Sequence, residues 1–210
     1  LHIPEGVELI SSYAFHYNLT LKELYIPASV RTIEAYAFWD CQNLSGLYME
    51  DGCETIGYRA FGFPGNSGCL SKPHLASTIT SIGEEAFRAS VWLKYLVLPA
   101  AMTSLPYSIV TLDCAIYIPE GMQQMAKQGA AIEVHGKAGT YAESYASEYG
   151  YTFVIDNSGD PDEFNTDFSY VVWEDGIQIT WVNVTGEEIV IPATVNGNPV
   201  RSIGRSAFYQ

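Results

Sequence analysis

Four histidines and four cysteines are the side chains of this sequence best suited to metal binding or nucleophilic catalysis. No two histidines lie four residues apart, no His-Glu-x-x-His motif is present, and no cysteine belongs to a Cys-x-x-Cys pair. A zinc site needs three or four converging ligands, and no signature of a nucleophilic enzyme flanks any cysteine. The sequence therefore predicts no metal site, no cofactor and no enzymatic activity.

The cysteines themselves have more ordinary explanations. Cys53 occupies a repeat position that holds valine or isoleucine elsewhere, so we expect a buried small hydrophobic residue. Cys69 and Cys114 fall near repeat junctions, where a free thiol and a disulfide are both compatible with the sequence. The disulfide state of these three residues and of Cys41 stays open at this point.

The charge of the chain excludes several kinds of partner. The formal net charge is −14, from 24 acidic and 10 basic residues. Because nucleic-acid affinity comes largely from Lys and Arg, this balance argues against nucleic acid, and equally against an anionic membrane surface. No apolar run approaches the roughly 18 residues of a membrane span.

Four carboxylates in an acidic segment could offer oxygens to calcium, but their spacing is not that of an EF-hand. They are Asp156, Asp160, Asp162 and Glu163.

One row of aromatic residues does suggest a binding site. If Leu24-Tyr25-Ile26 is a strand, its middle residue points outward while its neighbours point inward, because strand side chains alternate. In successive repeats this outward position holds His2, Tyr25, Tyr48, His74, Val97 and Tyr117. The neighbouring outward position holds Glu23, Gly46, Lys72, Tyr95 and Ala115.

Tyrosine and histidine combine a flat apolar body with a polar edge, which suits both protein hot spots and sugar rings. We therefore predict a ligand-binding row formed by Tyr25, Tyr48, His74, Tyr95 and Tyr117. The alternative is structural, because aromatic residues favour strands and can simply cover an exposed sheet.

A repeat of 23 residues supplies the elements that would position this row. Phe15, Phe38 and Phe61 are each 23 residues apart, and each follows an alanine. Isoleucine keeps the same step, and Ala86-Phe87 continues the pattern after a step of 26. A fixed period in the twenties indicates a solenoid, in which each repeat buries its apolar side against its neighbours. Within a repeat, Pro27 ends the short strand because it has no N–H for the ladder.

The repeats resemble the BspA-like leucine-rich repeats of bacterial surface and secreted proteins. The best matching stretches are LKELYIPASVRTIEAYAFWDC and the later IVIP and VRSIGRSAF. The resemblance implies a right-handed leucine-rich-repeat solenoid, rich in β-structure, with one short parallel strand per repeat of about 23 residues. It also implies adhesion to a protein or glycan on a host or neighbouring cell.

A strand–helix–strand cap is predicted to close this array at about 131–155. Thr140 and Glu143 fit a capping box, and Gly150 fits a helix stop. The apolar face of the helix would cover the end of the stack; it comprises Ala142, Tyr145, Ala146 and Tyr149.

Three regions follow from these patterns. Residues 1–155 form the leucine-rich repeat array with its cap, and 156–167 form an acidic linker. Residues 168–210 form a β-hairpin and the first repeat of a second, truncated array. Because the sequence begins and stops inside a repeat, we interpret it as a fragment of a longer protein.

The predicted function is a non-catalytic binding or adhesion module of a bacterial cell-surface or secreted protein. It would make multivalent contacts along its strand face, with no bond made or broken. One alternative is a structural spacer without its own ligand, and another is an accessory module of a larger surface hydrolase. We expect a monomer, with end-to-end stacking of open repeat ends as the alternative mode of assembly.

Overall fold

The computed structural model describes residues 1–65, 67–93, 95–110, 114–128, 132–156, 168–173, 176–182, 194–195 and 198–203. The chain forms two compact units, Leu1–Ile155 and Asp156–Gln210. The first unit carries the repeats and is a parallel-strand β-solenoid, which confirms the predicted fold class.

The first side of the solenoid, here called the front face, consists of short parallel strands that follow one another turn by turn. They are β2 (Glu23–Ile26), β4 (Gly46–Met49), β6 (Lys72–His74), β8 (Tyr95–Val97), β10 (Cys114–Tyr117), β12 (Ile132–Gly136) and β13 (Thr152–Ile155). In β2 and β4 the residues at the second and fourth positions are buried and the third is exposed, as the alternation of strand side chains requires.

A second side carries a second strand in each turn, which the sequence did not predict. These strands contain only two residues each and end on a buried Ile, Leu or Met. They are β1 (Leu9–Ile10), β3 (Thr32–Ile33), β5 (Thr55–Ile56), β7 (Ser81–Ile82), β9 (Ser104–Leu105) and β11 (Gln124–Met125). With so few residues, the pattern is too short for a period of two to be visible in the sequence.

The third side, here called the turn face, contains the Ala-Phe pairs and is joined by main-chain hydrogen bonds between turns. The N–H of Phe15 donates to the carbonyl of Ala37 (2.8 Å), and Phe38 repeats this bond to Ala60 (2.8 Å). Each turn is therefore bonded to the next on the turn face as well as on the strand faces.

The core is a set of side-chain stacks that run along the solenoid. The Phe15 and Phe38 rings are parallel with centroids 5.0 Å apart, and Phe38 stacks on Phe61 at 5.2 Å. Phe61 stacks on Phe87 at 5.7 Å in spite of the three inserted residues between them. The periodic core therefore continues past the insertion, whose Phe63 is itself fully buried.

The front strands divide into two sheets, β2-β4-β6 and β8-β10-β12-β13. Leu24, Leu47 and Pro73 share one repeat position, to which Leu1 also belongs. The main-chain nitrogen of Leu1 donates to the carbonyl of Glu23 in the next turn (2.8 Å). Pro73 has no N–H to make the equivalent bond, which explains why pairing stops after β6.

The cap contains helix α1 (Tyr141–Tyr149), as predicted, with Ala142, Tyr145 and Ala146 buried. Gly150 ends it in a left-handed conformation (φ 73°), which also agrees with the prediction. The prediction of a capping box is wrong, because Thr140 and Glu143 form other hydrogen bonds. The Thr140 hydroxyl donates to the carbonyl of Lys137 (2.6 Å), and the Glu143 carboxylate accepts from the N–H of Gly139 (2.8 Å).

The second unit contains β14 (Phe168–Trp173), β15 (Gly176–Val182), β16 (Thr194–Val195) and β17 (Asn198–Ile203). Strand β14 pairs antiparallel with β15, and β15 pairs parallel with β17. Several predictions lie outside the described residues. They concern the linker after Asp156, the carboxylates that could bind calcium at Asp160, Asp162 and Glu163, and the Ala207-Phe208 pair. The division into array, linker and second array stays a prediction.

Candidate functional site

The aromatic row on the front face forms a continuous stack in its first part. His2 is bridged to Tyr25, and the strand register places Tyr25 beside Tyr48 and Tyr48 beside His74. The ring centroids of His2 and Tyr25 are 4.5 Å apart, those of Tyr25 and Tyr48 5.4 Å, and those of Tyr48 and His74 4.7 Å. We call these four residues the aromatic ladder.

The ladder presents ring edges to solvent. Tyr25 and Tyr48 are 42% and 41% exposed, and His74 is also exposed. Because strand side chains stand roughly perpendicular to the sheet, rings stacked along the solenoid cover one another's faces. What remains accessible is a row of ring edges, together with the tyrosine hydroxyls and the imidazole nitrogens.

A groove of about 240 Å³ runs beside the ladder. Its wall is made by Tyr25, Tyr48 and His74, and Glu23 lies at one end. Gly46 forms part of the floor, where any other residue would place a side chain. The absence of a side chain at Gly46 therefore creates the groove.

Tyr95 and Tyr117, the other two residues of the predicted binding row, do not belong to the ladder, and their part in binding stays a prediction. Both lie in the second sheet of the front face, beyond the interruption after β6. Tyr117 occupies the predicted row, between Val97 and His135 in register, but is only 4% exposed.

Tyr95 packs across the strand that carries Tyr117. Its ring lies edge-on against His135 at 5.3 Å, two strands away. Ala115, the residue beside Tyr95 in register, is small enough to let that ring lie across the intervening strand. Tyr95 is partly buried.

An imidazole–carboxylate pair lies on the same second sheet. His135 Nε2 is 2.7 Å from Glu133 Oε1. Across the described parts of the chain, no group of three or more His, Cys, Asp or Glu side chains converges as a metal site would require. In those same parts, no helix is long and apolar enough to cross a bilayer.

The four cysteines, all within the described residues, form no disulfide bond, which answers the question left open by the sequence. Cys53 is fully buried, as predicted, and so is Cys41. Burial raises the pKa of both thiols to about 11. Protonated thiols are poor nucleophiles and poor metal ligands, so these two residues act as core side chains.

A second aromatic cluster lies on the turn face and was missed from the sequence. The rings of Tyr13 and Tyr36 stack at 4.9 Å, and Tyr36 meets Tyr58 edge-on at 5.4 Å. The guanidinium of Arg59 lies over the rings of Trp39 (5.3 Å) and Tyr58 (4.8 Å). Tyr13 and Tyr36 both precede an Ala-Phe pair, so their shared repeat position was the available signal.

Arg59 is held in this cluster by an ion pair with Glu85. Burial of the Glu85 carboxyl acts to raise its pKa, but hydrogen bonds and charge from Arg59 and Arg88 outweigh burial and lower it. The guanidinium is therefore engaged by a carboxylate and two rings, and we interpret this cluster as structural support for the turn face.

Comparison with known proteins finds one matching family model and two solved structures. The crystal structure of a T. pallidum leucine-rich repeat protein is 16% identical over 73% of this chain and 84% of that one, with a TM-score of 0.39. A leucine-rich repeat protein from Bacteroides ovatus is 19% identical over 67% of this chain and 54% of that one, with a TM-score of 0.36. No curated protein matches the sequence.

The sequence model of the BspA-type leucine-rich repeat region matches residues 1–113, in six copies. This range covers the Ala-Phe pairs, the stacked phenylalanines and the aromatic ladder described above. The chain therefore belongs to the BspA-type leucine-rich repeat family.

Proposed function

We propose that this chain is a non-catalytic binding module of a bacterial cell-surface or secreted protein. Its ligand is a protein, which it contacts through the aromatic ladder of the front face. The observation that carries this proposal is the continuous row of ring contacts from His2 to His74, with two tyrosines each about two-fifths exposed.

The energetics of such a ladder suit protein recognition. Tyrosine contributes a large contact area together with a hydroxyl that can form a hydrogen bond. Association costs free energy wherever flexible side chains must be immobilised. Tyr25 and Tyr48 are already ordered by their neighbours on both sides, so much of this cost is met on folding.

The same stacking disfavours a glycan. Sugar recognition by aromatic residues uses the flat face of a ring, against which the pyranose packs. In the ladder these faces are covered by adjacent rings at 4.5 to 5.4 Å. Edges and hydroxyls complement polypeptide better, because a protein partner offers both apolar side chains and main-chain groups.

The experiment is a binding screen of the full 210-residue chain against immobilised extracellular proteins and a glycan array. The test variant is Tyr25→Ala/Tyr48→Ala. The matched control, Trp92→Ala/Tyr107→Ala, removes two exposed aromatic side chains from outside the ladder. Because hot-spot side chains each contribute about 2 kcal/mol or more, we expect the test variant to weaken binding at least tenfold.

Equal weakening by both double variants would contradict the proposed site. A ligand found only on the glycan array would contradict the ligand class. Failure of the wild-type chain to bind anything would favour a structural spacer, whose only requirement is the continuous core.

A further inference from the structure

We propose that the groove beside Gly46 is a pocket for one arginine side chain from a basic segment of the protein partner. This inference rests on the proposed function, because it names the chemistry recognised at the same front face. It is carried by the shape of the groove, by the carboxylate at its end and by the charge of the chain.

The shape of the groove fits a single side chain. Its volume of about 240 Å³ lies below the roughly 300 Å³ at which small-molecule pockets begin. It is bounded by rings along one wall and open above, and its floor is the backbone near Gly46. A long side chain can therefore lie along the rings without being enclosed.

The carboxylate of Glu23 selects the charge of that side chain. It is exposed at the end of the groove. The net charge of −14 favours encounter with a cationic segment, because the field of the whole protein steers charged partners.

Arginine fits this pocket better than lysine. Its planar guanidinium packs against aromatic rings and forms two parallel hydrogen bonds with a carboxylate. The groove offers both partners, the tyrosine wall and Glu23. The ammonium of lysine is more strongly hydrated and offers no flat face.

The experiment is an NMR titration of the 210-residue chain, uniformly ¹⁵N-labelled, with Nα-acetyl-arginine amide. Nα-acetyl-lysine amide and Nα-acetyl-glutamate amide are the comparison probes. We expect saturable shifts of the amide signals of Gly46 and Tyr48 with the arginine probe. Binding of the lysine probe should be several-fold weaker, and the glutamate probe should cause no saturable shift.

Three variants define the pocket. Glu23→Gln should weaken arginine binding at least threefold. Gly46→Val should abolish it; a Cβ there would lie 3.5 Å from Glu23 Cγ, an ordinary contact, so the strand is preserved. The control Glu84→Gln removes an exposed carboxylate on another face and should change the affinity less than twofold.

Three results would overturn the pocket: shifts spread over the surface, equal effects of Glu23→Gln and Glu84→Gln, or retained binding in Gly46→Val. If these occur while Tyr25→Ala/Tyr48→Ala still loses the protein partner, the pocket is wrong and the proposed function stands. If the arginine probe binds as expected but the partner is unaffected by the tyrosine variant, the pocket stands and the proposed function is wrong.

Discussion

The residue before each Ala-Phe pair of the first unit has a left-handed backbone conformation, although none of these residues is glycine. The φ angles lie between 53° and 61° at Tyr13, Tyr36, Arg59 and Glu85, and Ser108, which precedes Ile109-Val110 at the same repeat position, has a φ of 57°. A second left-handed position in the same turn is held by Tyr17, Asp40 and Ala89. Each such residue costs about 1–2 kcal/mol, which the main-chain bonds between turns must offset.

Tyr17 allows this cost to be measured, because its side chain is 55% exposed and has little packing to lose. Glycine relieves the strained φ of 58°, whereas valine, branched at Cβ, adapts to it poorly. We expect Tyr17→Gly to be more stable than Tyr17→Val by about 1–2 kcal/mol. Urea denaturation followed by circular dichroism measures the difference.

The control for Tyr17 is Tyr107, which is 53% exposed and does not have a positive φ. At this position valine should be at least as stable as glycine, because glycine loses more conformational entropy on folding. The same ranking at both positions would show that the left-handed conformation is not the cause.

The cysteines lead to a prediction about reactivity. Burial raises the pKa of Cys41 and Cys53 to about 11, so at pH 8 few of these thiols are ionised and none is accessible. Cys69 is partly exposed. In the folded protein we expect iodoacetamide to label Cys69 first. Labelling of all four cysteines should require denaturant, as peptide mass spectrometry can show. Rapid native labelling of Cys53 would contradict the buried assignment.

The cap element ends the array by replacing main-chain partners with side chains. The Tyr145 hydroxyl donates to the carbonyl of Ala126 (3.1 Å) and accepts from the N–H of Gln128 (3.3 Å). Tyr141 accepts from the N–H of Met125 (2.8 Å), and Tyr151 donates to the carbonyl of Gln128 (2.8 Å). These groups belong to the turn before the cap, where a further repeat would otherwise supply the hydrogen bonds.

Tyr145→Phe tests this role of the cap. The ring and its packing remain, but the buried N–H of Gln128 loses its partner. The carbonyl of Ala126 keeps a hydrogen bond from the Gln128 side chain (3.0 Å). An unsatisfied buried polar group costs about 1–3 kcal/mol, so we expect destabilisation of that size in thermal or urea unfolding. Tyr149→Phe, in the same helix but with a partly exposed ring, is the matched control. Equal effects of the two variants would contradict this function of the Tyr145 hydroxyl.

The sequence predicts the elements that follow a strict period and misses those that depend on contacts between turns. The stacks of Phe15, Phe38 and Phe61 follow directly from the repeat, as does the row from Tyr25 to His74. The contact of Tyr95 with His135 joins rings two strands apart, which no spacing along the chain encodes. The two-residue strands and the hydroxyl bonds of the cap likewise arise only when turns are stacked.

At the scale of the molecule, the first unit behaves as a nearly one-dimensional stack, in which each turn contacts only its neighbours. Its stability is then a sum of terms for single turns and for the interfaces between them. A defect in a middle turn weakens two interfaces, whereas a defect near one end weakens fewer. The phenylalanine stack offers both kinds of position in one chemical series.

Phe61→Ala should therefore destabilise the solenoid more than Phe15→Ala. Phe61 is fully buried between Phe38 and Phe87, whereas Phe15 is only partly buried. Removing a buried phenylalanine ring costs about 3–5 kcal/mol, and at Phe61 the loss separates two groups of turns. We expect urea unfolding of Phe61→Ala to become broader or to split into two transitions, with hydrogen exchange fastest in the turns around residue 61. A single sharp transition, shifted equally in both variants, would mean that the turns unfold as one cooperative unit and that local coupling does not govern this solenoid.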